Sequence, residues 1–272
     1  MKLALAIASV VFAACGTEPA ATVDANGGSP DGTVGTVTNV SGTIAADTTW
    51  RDTINITANT TIPSGVTVTV AAGTTINVTA NPSLTITVQG SIDIQGSSAA
   101  KVTMKPTVAT GHWNRFAIPP GGQVTAHYLV EVGGGFQLSG GKLTLIDSAA
   151  SRASGDLVEG TGTVDIEYSA IGLEPGGADS THCALHFDLA ANTLKVTHTN
   201  LSTSVYGIMF YGGTNADFTY NNWFSNTYNV DAQGPVSGNF SFGWFGAKPP
   251  TGTGVTATNL APARLTDAGP RP

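Results

Sequence analysis

Short runs in which apolar and polar residues alternate recur along most of the chain. Residues 66–70, 84–88 and 143–145 each have this period of two, which predicts β-strands with one side in a core. The first apolar residues of eight successive runs lie 18 to 30 positions apart: Val66, Leu84, Val102, Val124, Leu143, Val164, Leu194 and Phe218. Such a repeating interval indicates a solenoid, in which each turn of chain lies on the preceding turn.

This interval is longer than the ~8 to 12 residues that separate turn signals in a β-sandwich. We therefore predict an all-β protein with a single-domain right-handed parallel β-helix of about nine turns. Equivalent positions in successive turns should form ladders, because parallel strands lie about 4.8 Å apart. One predicted inward ladder contains Tyr128, Asp147, Tyr168, His198 and Asn222, and the ladder outside it contains Thr125, Thr144, Asp165, Lys195 and Thr219.

Composition supports a folded β protein. Apolar residues make up 41% of the chain and charged residues 11%, and 34 of the 272 residues are glycine. This mixture suits strands joined by tight turns, and it is unlike the high charge and low hydrophobicity of disordered chains. The formal net charge of −7 argues against nucleic acid as a partner.

The N-terminus has the pattern of a signal peptide. Lys2 precedes an apolar core of ten residues, 3–12, and the small residues Ala13 and Ala14 lead to Cys15. Ten helical residues extend about 15 Å, half of a ~30 Å hydrocarbon core, so a permanent transmembrane helix does not fit. The ending resembles the lipobox of bacterial lipoproteins, although Phe12 stands where that family usually has an aliphatic residue. The resemblance implies that the thiol of Cys15 receives diacylglycerol; without lipidation, the protein would be secreted.

The chain divides into four predicted parts. Residues 1–15 form the signal peptide, 16–40 a flexible tether, 41–247 the β-helix and 248–272 a tail rich in Pro, Gly and Thr. We expect the tail to cover the open C-terminal end of the β-helix and then fray. The expected location is the outer membrane or cell surface, as a monomer held through its lipid anchor, with polysaccharide as a candidate partner.

Three stretches resemble the right-handed parallel β-helix proteins of the pectin-lyase-like superfamily. They are residues 49–96, the motif Gly111-His112-Trp113, and residues 206–226, which include Asn222 and Asn226. The resemblance covers about residues 41–245 and implies the fold. It does not select an activity, because the superfamily includes lyases, hydrolases, adhesins and passive surface proteins.

Catalysis on this fold needs clusters of charged residues. Pectate lyases of the superfamily hold Ca²⁺ with clustered aspartates and use a basic residue to remove a proton, whereas the hydrolases use Asp residues on neighbouring turns. The sequence shows neither cluster. Asp165 and Glu167 share an outward face, and the ladders place Lys195 opposite Asp165 and Thr197 opposite Glu167, which predicts a surface ion pair.

Residues 181–188 contain two histidines and an acid close together. On a strand, Cys183, Leu185 and Phe187 would point inward, while the outward residues would be His182, Ala184, His186 and Asp188. Imidazole and carboxylate groups can bind Zn²⁺ or act as acid and base. However, positions i and i+4 of a strand lie ~13 Å apart, so both histidines could reach one ion only if the chain bends. We therefore predict a solvated surface with no metal and no cofactor, and a buried, unreactive Cys183.

Late aromatic residues offer a possible contact with sugar rings. Alternation sends Phe210, Tyr220 and Phe224 inward and leaves Tyr211 and Trp223 as the exposed candidates.

The leading hypothesis is a non-catalytic cell-surface lipoprotein that acts as a structural, adhesive or glycan-contacting module. The alternative is a polysaccharide lyase or glycoside hydrolase, with His186, Asp188, Asp165 and Glu167 as catalytic candidates. Convergence of three or more acidic or basic side chains within ~8 Å in a groove would favour the alternative, whereas scattered charges would exclude it.

Overall fold

The computed structural model describes residues 35–172, 182–187 and 192–272, so Cys15 and Asp188 lie outside the described part of the chain. The described residues form 24 strands, all in one sheet. Their bounds are β1 Val37–Thr43, β2 Thr48–Trp50, β3 Thr53–Ile62, β4 Thr67–Val70, β5 Thr75–Val78, β6 Thr85–Val88, β7 Ser91–Gln95, β8 Val102–Pro106, β9 Arg115–Ile118, β10 Gln123–His127, β11 Leu129–Val132, β12 Phe136–Ile146, β13 Ala149–Ser151, β14 Val158–Glu167, β15 Ala170–Ile171, β16 Cys183–Phe187, β17 Thr193–Thr197, β18 Asn200–Ser202, β19 Tyr206–Phe210, β20 Ala216–Asp217, β21 Asn222–Phe224, β22 Tyr228–Ala232, β23 Gly238–Asn239 and β24 Val255–Thr256.

The parallel pairings arrange these strands in three faces. Face A contains β2, β4, β7, β10, the second part of β12, the second part of β14, β17, β20, β23 and β24. Face B contains the first parts of β1 and β3, then β5, β8, β11, β13, β15, β18 and β21. Face C contains the second parts of β1 and β3, β6, β9, the first parts of β12 and β14, β16, β19 and β22. The all-β, parallel architecture that was predicted is confirmed and fits a solenoid. In the described residues, no helix is long and apolar enough to cross a membrane.

The core consists of side-chain ladders that run through successive turns. On face A, one ladder has members that are at most 4% exposed: Val68, Ile92, Val124, Leu143, Val164 and Leu194. Burying each such side chain contributes about 1.5–3 kcal/mol. The predicted alignment of the last four residues is confirmed. The placement of Val102 beside them was wrong, because Val102 pairs with Leu129 on face B.

The corner between faces A and B is made by residues with positive φ. The angle lies between 47° and 63° at each of Tyr128, Asp147, Tyr168, His198, Tyr220 and Phe242. We call this set the corner column. A left-handed residue turns the chain sharply, and the last four rings stack on one another with centroids 4.8 to 5.0 Å apart.

The corner column corrects two predicted ladders. Its side chains line the outside of the turn, not the core, and its member after His198 is the exposed Tyr220 in place of Asn222. Lys195 lies opposite Asp217, not Thr219. Alternation gives the wrong side at this corner because the left-handed residue reverses which side of the chain faces the core. The last member of each ladder lies two residues earlier than predicted, because Lys195 pairs with Asp217.

A buried polar ladder follows the corner column by one residue. The Ser169 hydroxyl accepts from the Ser148 backbone N–H at 3.1 Å, the Thr199 hydroxyl from Ser169 at 3.3 Å, and the Asn221 side chain from Thr199 at 2.8 Å. These side chains therefore satisfy backbone N–H groups that the sharp turn removes from the sheet.

The C-terminal tail lies along the side of the solenoid instead of fraying. Residues Leu265 and Asn222 exchange two hydrogen bonds of 2.9 Å, and the Gly269 N–H donates to the His198 carbonyl at 2.8 Å. Arg271 donates to both carboxylate oxygens of Asp147 at 2.8 and 2.7 Å, and its guanidinium lies 4.0 Å from the centroid of the Tyr168 ring. The tail thus joins turns that are distant in sequence.

R271A should lower the free energy of unfolding by about 1–2 kcal/mol, because it removes two charge-assisted hydrogen bonds between the half-exposed Arg271 and the buried Asp147. Urea unfolding would give the energy, and faster amide hydrogen exchange in residues 264–272 would show that the tail has come away. R51A is the matched control, since Arg51 is an exposed arginine in an early turn. Equal effects of the two substitutions would contradict an anchoring role for Arg271.

Candidate functional site

A cluster of titratable side chains lies where the chain enters face C. Asp156 lies two residues before β14, and the register of Val158 with Leu185 places it beside Cys183, the first residue of β16. His182 lies in the bend that precedes β16, and His186 lies within that strand. The site therefore combines residues from two consecutive turns of the solenoid.

The carboxylate of Asp156 joins the members of this cluster. His182 Nδ1 lies 2.6 Å from Oδ1, His186 Nδ1 lies 2.8 Å from Oδ2, and the Cys183 N–H donates to Oδ1 at 2.8 Å. An ionised carboxylate only accepts, so both imidazoles donate through Nδ1. The Sγ atom of Cys183 lies 3.1 Å from His182 Nδ1. We call Asp156, His182, Cys183 and His186 the Asp-His-Cys cluster.

The convergence of the two histidines corrects the expectation that they lie too far apart. Their ring centroids are 6.1 Å apart. The strand begins only at Cys183, so His182 lies in a bend and its side chain turns towards Asp156. The predicted inward positions of Cys183, Leu185 and Phe187 are confirmed, since all three are fully buried, but Ala184, predicted to point outward, is buried as well.

Hydrogen bonds control the charge of the cluster. Burial alone would raise the pKa of Asp156, but the hydrogen bonds from His186, His182 and Cys183 outweigh it and hold that pKa well below its usual range. Burial raises the pKa of the Cys183 thiol, and the negative charge of Asp156 raises it further. At neutral pH the site therefore presents a carboxylate, a protonated thiol and two imidazoles.

A row of outward side chains on face C, polar except for Met209, includes His186 of the cluster. The register aligns Gln137, Glu159, His186, Met209 and Asp231 on five successive turns, a length of about 19 Å at 4.8 Å per turn. We call this set the face C row.

Hydrogen bonds hold the acids of the face C row in place. Glu159 pairs with Arg115 and accepts from Gln137 at 3.2 Å. The Tyr211 hydroxyl donates to Asp231 at 2.5 Å, and Gln233 donates to the same carboxylate at 3.1 Å. The planar polar groups of the row are therefore fixed before any ligand arrives.

Two stacked tyrosines lie beside this row. Tyr206 is in register with Cys183 and with Tyr228, and the two tyrosine rings stack with centroids 5.1 Å apart. The Tyr206 ring also lies 6.0 Å from the His182 ring. Tyr228 is the more exposed ring, at 54%. We call these residues the tyrosine pair.

The candidate residues that the sequence suggested do not all lie at this site. Asp165 and Glu167 share the ammonium of Lys195, and the predicted pairings of Asp165 with Lys195 and Glu167 with Thr197 are confirmed. Tyr211 is partly exposed beside His186. Trp223 was predicted to be exposed, but it is 0% exposed and stacks on Phe245 in the core.

Sequence reasoning missed Asp156, Glu159 and Arg115. Asp156 lies 26 residues before His182, and Arg115 lies 44 residues before Glu159. No local pattern links residues at these separations. An exact alignment of face C would have linked Glu159 to His186, but the alternating runs used for alignment belong largely to faces A and B.

A pocket lies near the N-terminal end, and no acidic or basic side chain lines it. It is lined by Ser41, Gly42, Thr57, Ala58, Asn59, Asn81, Ser83 and Leu84. It therefore offers hydrogen bonds but no acid–base chemistry.

Comparisons with protein-family models, curated proteins and solved structures find no match to this chain.

Proposed function

We propose that this protein is an exported, lipid-anchored, right-handed β-helix of the pectin-lyase-like type that binds extended polysaccharide on face C. The observation that carries the proposal is the face C row with the tyrosine pair beside it. The amide, carboxylate and imidazole groups of this row and an exposed aromatic ring provide the two contacts that sugars make, hydrogen bonds to hydroxyl groups and packing against the ring face. A repetitive face of about 19 Å suits a repetitive polymer.

The terminal ring of the tyrosine pair is the residue to test. One face of Tyr228 packs on Tyr206, and more than half of the side chain is exposed. Y228A should weaken polysaccharide binding about tenfold, which corresponds to about 1.4 kcal/mol of lost ring contact. Affinity electrophoresis in gels that contain one uronic or neutral polysaccharide each would measure binding over a panel of ligands.

F242A is the matched control, because Phe242 is also an exposed terminal ring, at 37%, but it belongs to the corner column. Binding should survive in this variant. If no polysaccharide retards the wild-type protein, or if Y228A and F242A weaken binding equally, the proposal that face C binds sugar is wrong.

A second candidate function is a polysaccharide lyase or glycoside hydrolase with its site on the same face. Asp156, Glu159 and two histidines converge there, and the pKa values of the two acids are shifted in opposite directions. Burial raises the pKa of Glu159, the negative charge of Asp156 adds to this rise and Arg115 opposes it, whereas the pKa of Asp156 is lowered. Pairs of acids with separated pKa values are typical of acid–base catalysis.

The same polysaccharide panel distinguishes the two candidates. Reducing ends or unsaturated products that form with the wild-type protein and disappear in E159Q would establish the enzyme. Binding without turnover would favour the non-catalytic module.

The export and anchoring parts of the proposal are supported by residues 1–15 of the sequence. A mature N-terminus at Cys15 that carries diacylglycerol, measured by mass spectrometry, is the expected result. An unmodified Cys15 would indicate secretion.

A further inference from the structure

The Asp-His-Cys cluster combines four side chains that can ligate a metal. We propose that Asp156, His182, Cys183 and His186 bind one zinc ion, a function that goes beyond polysaccharide binding and does not depend on it. One ligand atom from each residue can be chosen so that all four lie within 4.8 Å of one another. The residues come from two consecutive turns, so an ion here would link those turns.

The distances fit a tetrahedral ion after a small expansion. Zinc bonds of about 2.0–2.3 Å in a tetrahedron separate neighbouring ligand atoms by about 3.3–3.6 Å. The two contacts of Asp156 with the imidazoles are 2.6 and 2.8 Å, and Sγ of Cys183 lies 3.1 Å from His182 Nδ1. An ion would replace the hydrogen bonds while the side chains separate by about 0.5–1 Å.

The donor set selects the class of metal. Two imidazole nitrogens, a thiolate and a carboxylate oxygen suit Zn²⁺, whereas Ca²⁺ and Mg²⁺ require oxygen ligands. Three of the ligands lie within five residues of chain, in the pattern His182, Cys183 and His186. The side chain of His182 is about half exposed, at 46%, so its outward rotation opens a path for the ion.

Charges around the cluster favour a cation. Asp156 is one of its ligands, and the negative charges of Glu159 and Asp231 act on Cys183 from the same face. Arg115 pairs with Glu159 and is a nearby positive charge. The surroundings therefore remain net negative, which attracts a divalent ion.

Binding releases one proton and relocates two others. The Cys183 thiol loses its proton to water as sulfur bonds to zinc, and no electron is transferred. The Nδ1 proton that each imidazole donates to Asp156 in the metal-free site moves through water to Nε2, which leaves Nδ1 free to ligate the ion. Four protein ligands close the coordination sphere, as in structural zinc sites. Zinc should thus fasten β16 to the preceding turn.

Cobalt spectroscopy tests the ligand set directly. The full chain would carry C15S, which leaves Cys183 as its sole thiol because the sequence has two cysteines. After removal of metals with a chelator, one equivalent of Co²⁺ should give intense visible bands of tetrahedral cobalt and a thiolate charge-transfer band. C183S should lose the charge-transfer band, and H186Q should lower affinity about a hundredfold or more.

H127Q is the matched control, since His127 lies on β10, outside the cluster, and this variant should bind cobalt like the parent chain. A second measurement needs no substitution at the site: a hundredfold excess of Zn²⁺ over its dissociation constant should raise the Tm by about 5–10 °C. The weak spectrum of six-coordinate cobalt, equal losses in H127Q and H186Q, or an unchanged Tm would overturn the proposal. Neither measurement involves polysaccharide, so a failure of the zinc proposal would not contradict polysaccharide binding on face C.

Discussion

F116A should lower the free energy of unfolding by about 3–5 kcal/mol, the largest effect we expect from one substitution in this protein. Phe116 is 1% exposed. Its ring stacks on Phe136 at 5.2 Å and meets the edge of Trp113 at 5.3 Å. Removing the ring leaves a cavity between two large aromatic side chains in consecutive turns, and the strands on either side cannot close it without breaking the ladder.

Urea unfolding followed by circular dichroism and by tryptophan fluorescence would measure this loss. F116L should retain most of the stability, because leucine fills much of the same volume. F242A, at an exposed position of the corner column, should cost less than about 1 kcal/mol. A loss from F116A no greater than that from F242A would show that this aromatic stack does not stabilise the fold.

D156A should lower the free energy of unfolding by about 3 kcal/mol near neutral pH, measured with a chelator present so that no metal contributes. The carboxylate accepts from His182, His186 and the Cys183 N–H. Removing it leaves the partly buried His186 and the buried Cys183 N–H without this acceptor. The value is less than the sum of three charge-assisted hydrogen bonds, because the half-exposed His182 returns to water.

The same variant should respond differently to acid. The folded-state pKa of Asp156 is lowered from an ordinary value of 3.8, so its stabilisation is present above that value and is lost as pH falls through the folded pKa. The difference between wild type and D156A should therefore stay constant from about pH 7 to about pH 4 and shrink as pH falls below the ordinary value of 3.8. D93A is the control, because Asp93 accepts one hydrogen bond from Gln95 at the surface. A difference that stays constant below pH 4 would mean that the hydrogen bonds to Asp156 do not lower its pKa in the folded state.

Much of the core could be predicted from the sequence, because alternation in a strand is a local property. Val124, Leu143 and Val164 point inward as predicted and align in register. The pairing of Asp165 with Lys195 also followed from aligning the alternating runs along face A. These predictions succeed where each turn has a recognisable run on that face, even across the 30-residue interval from Val164 to Leu194.

Predictions failed where the backbone leaves the strand conformation. The positive φ of Tyr220 turns its ring outward, although alternation predicted it inside. Trp223, one residue before the Phe224 that was predicted to point inward, lies in the core. A change of one residue in phase exchanges the two sides of a strand, so the corner geometry decides which aromatic residues are available to a ligand.

The sequence by itself determined that this chain forms parallel strands of alternating character, which residues fill most of the core, and that residues 1–15 have the pattern of an export signal. Only the tertiary structure brought Asp156 to His182, Cys183 and His186, and placed Arg271 on Asp147. The physical reason is that alternation depends on neighbouring residues, whereas these contacts depend on the length and direction of every turn between residues 26 to 124 positions apart. Small changes in those turns move a side chain to a different partner, so the site is a property of the assembled solenoid.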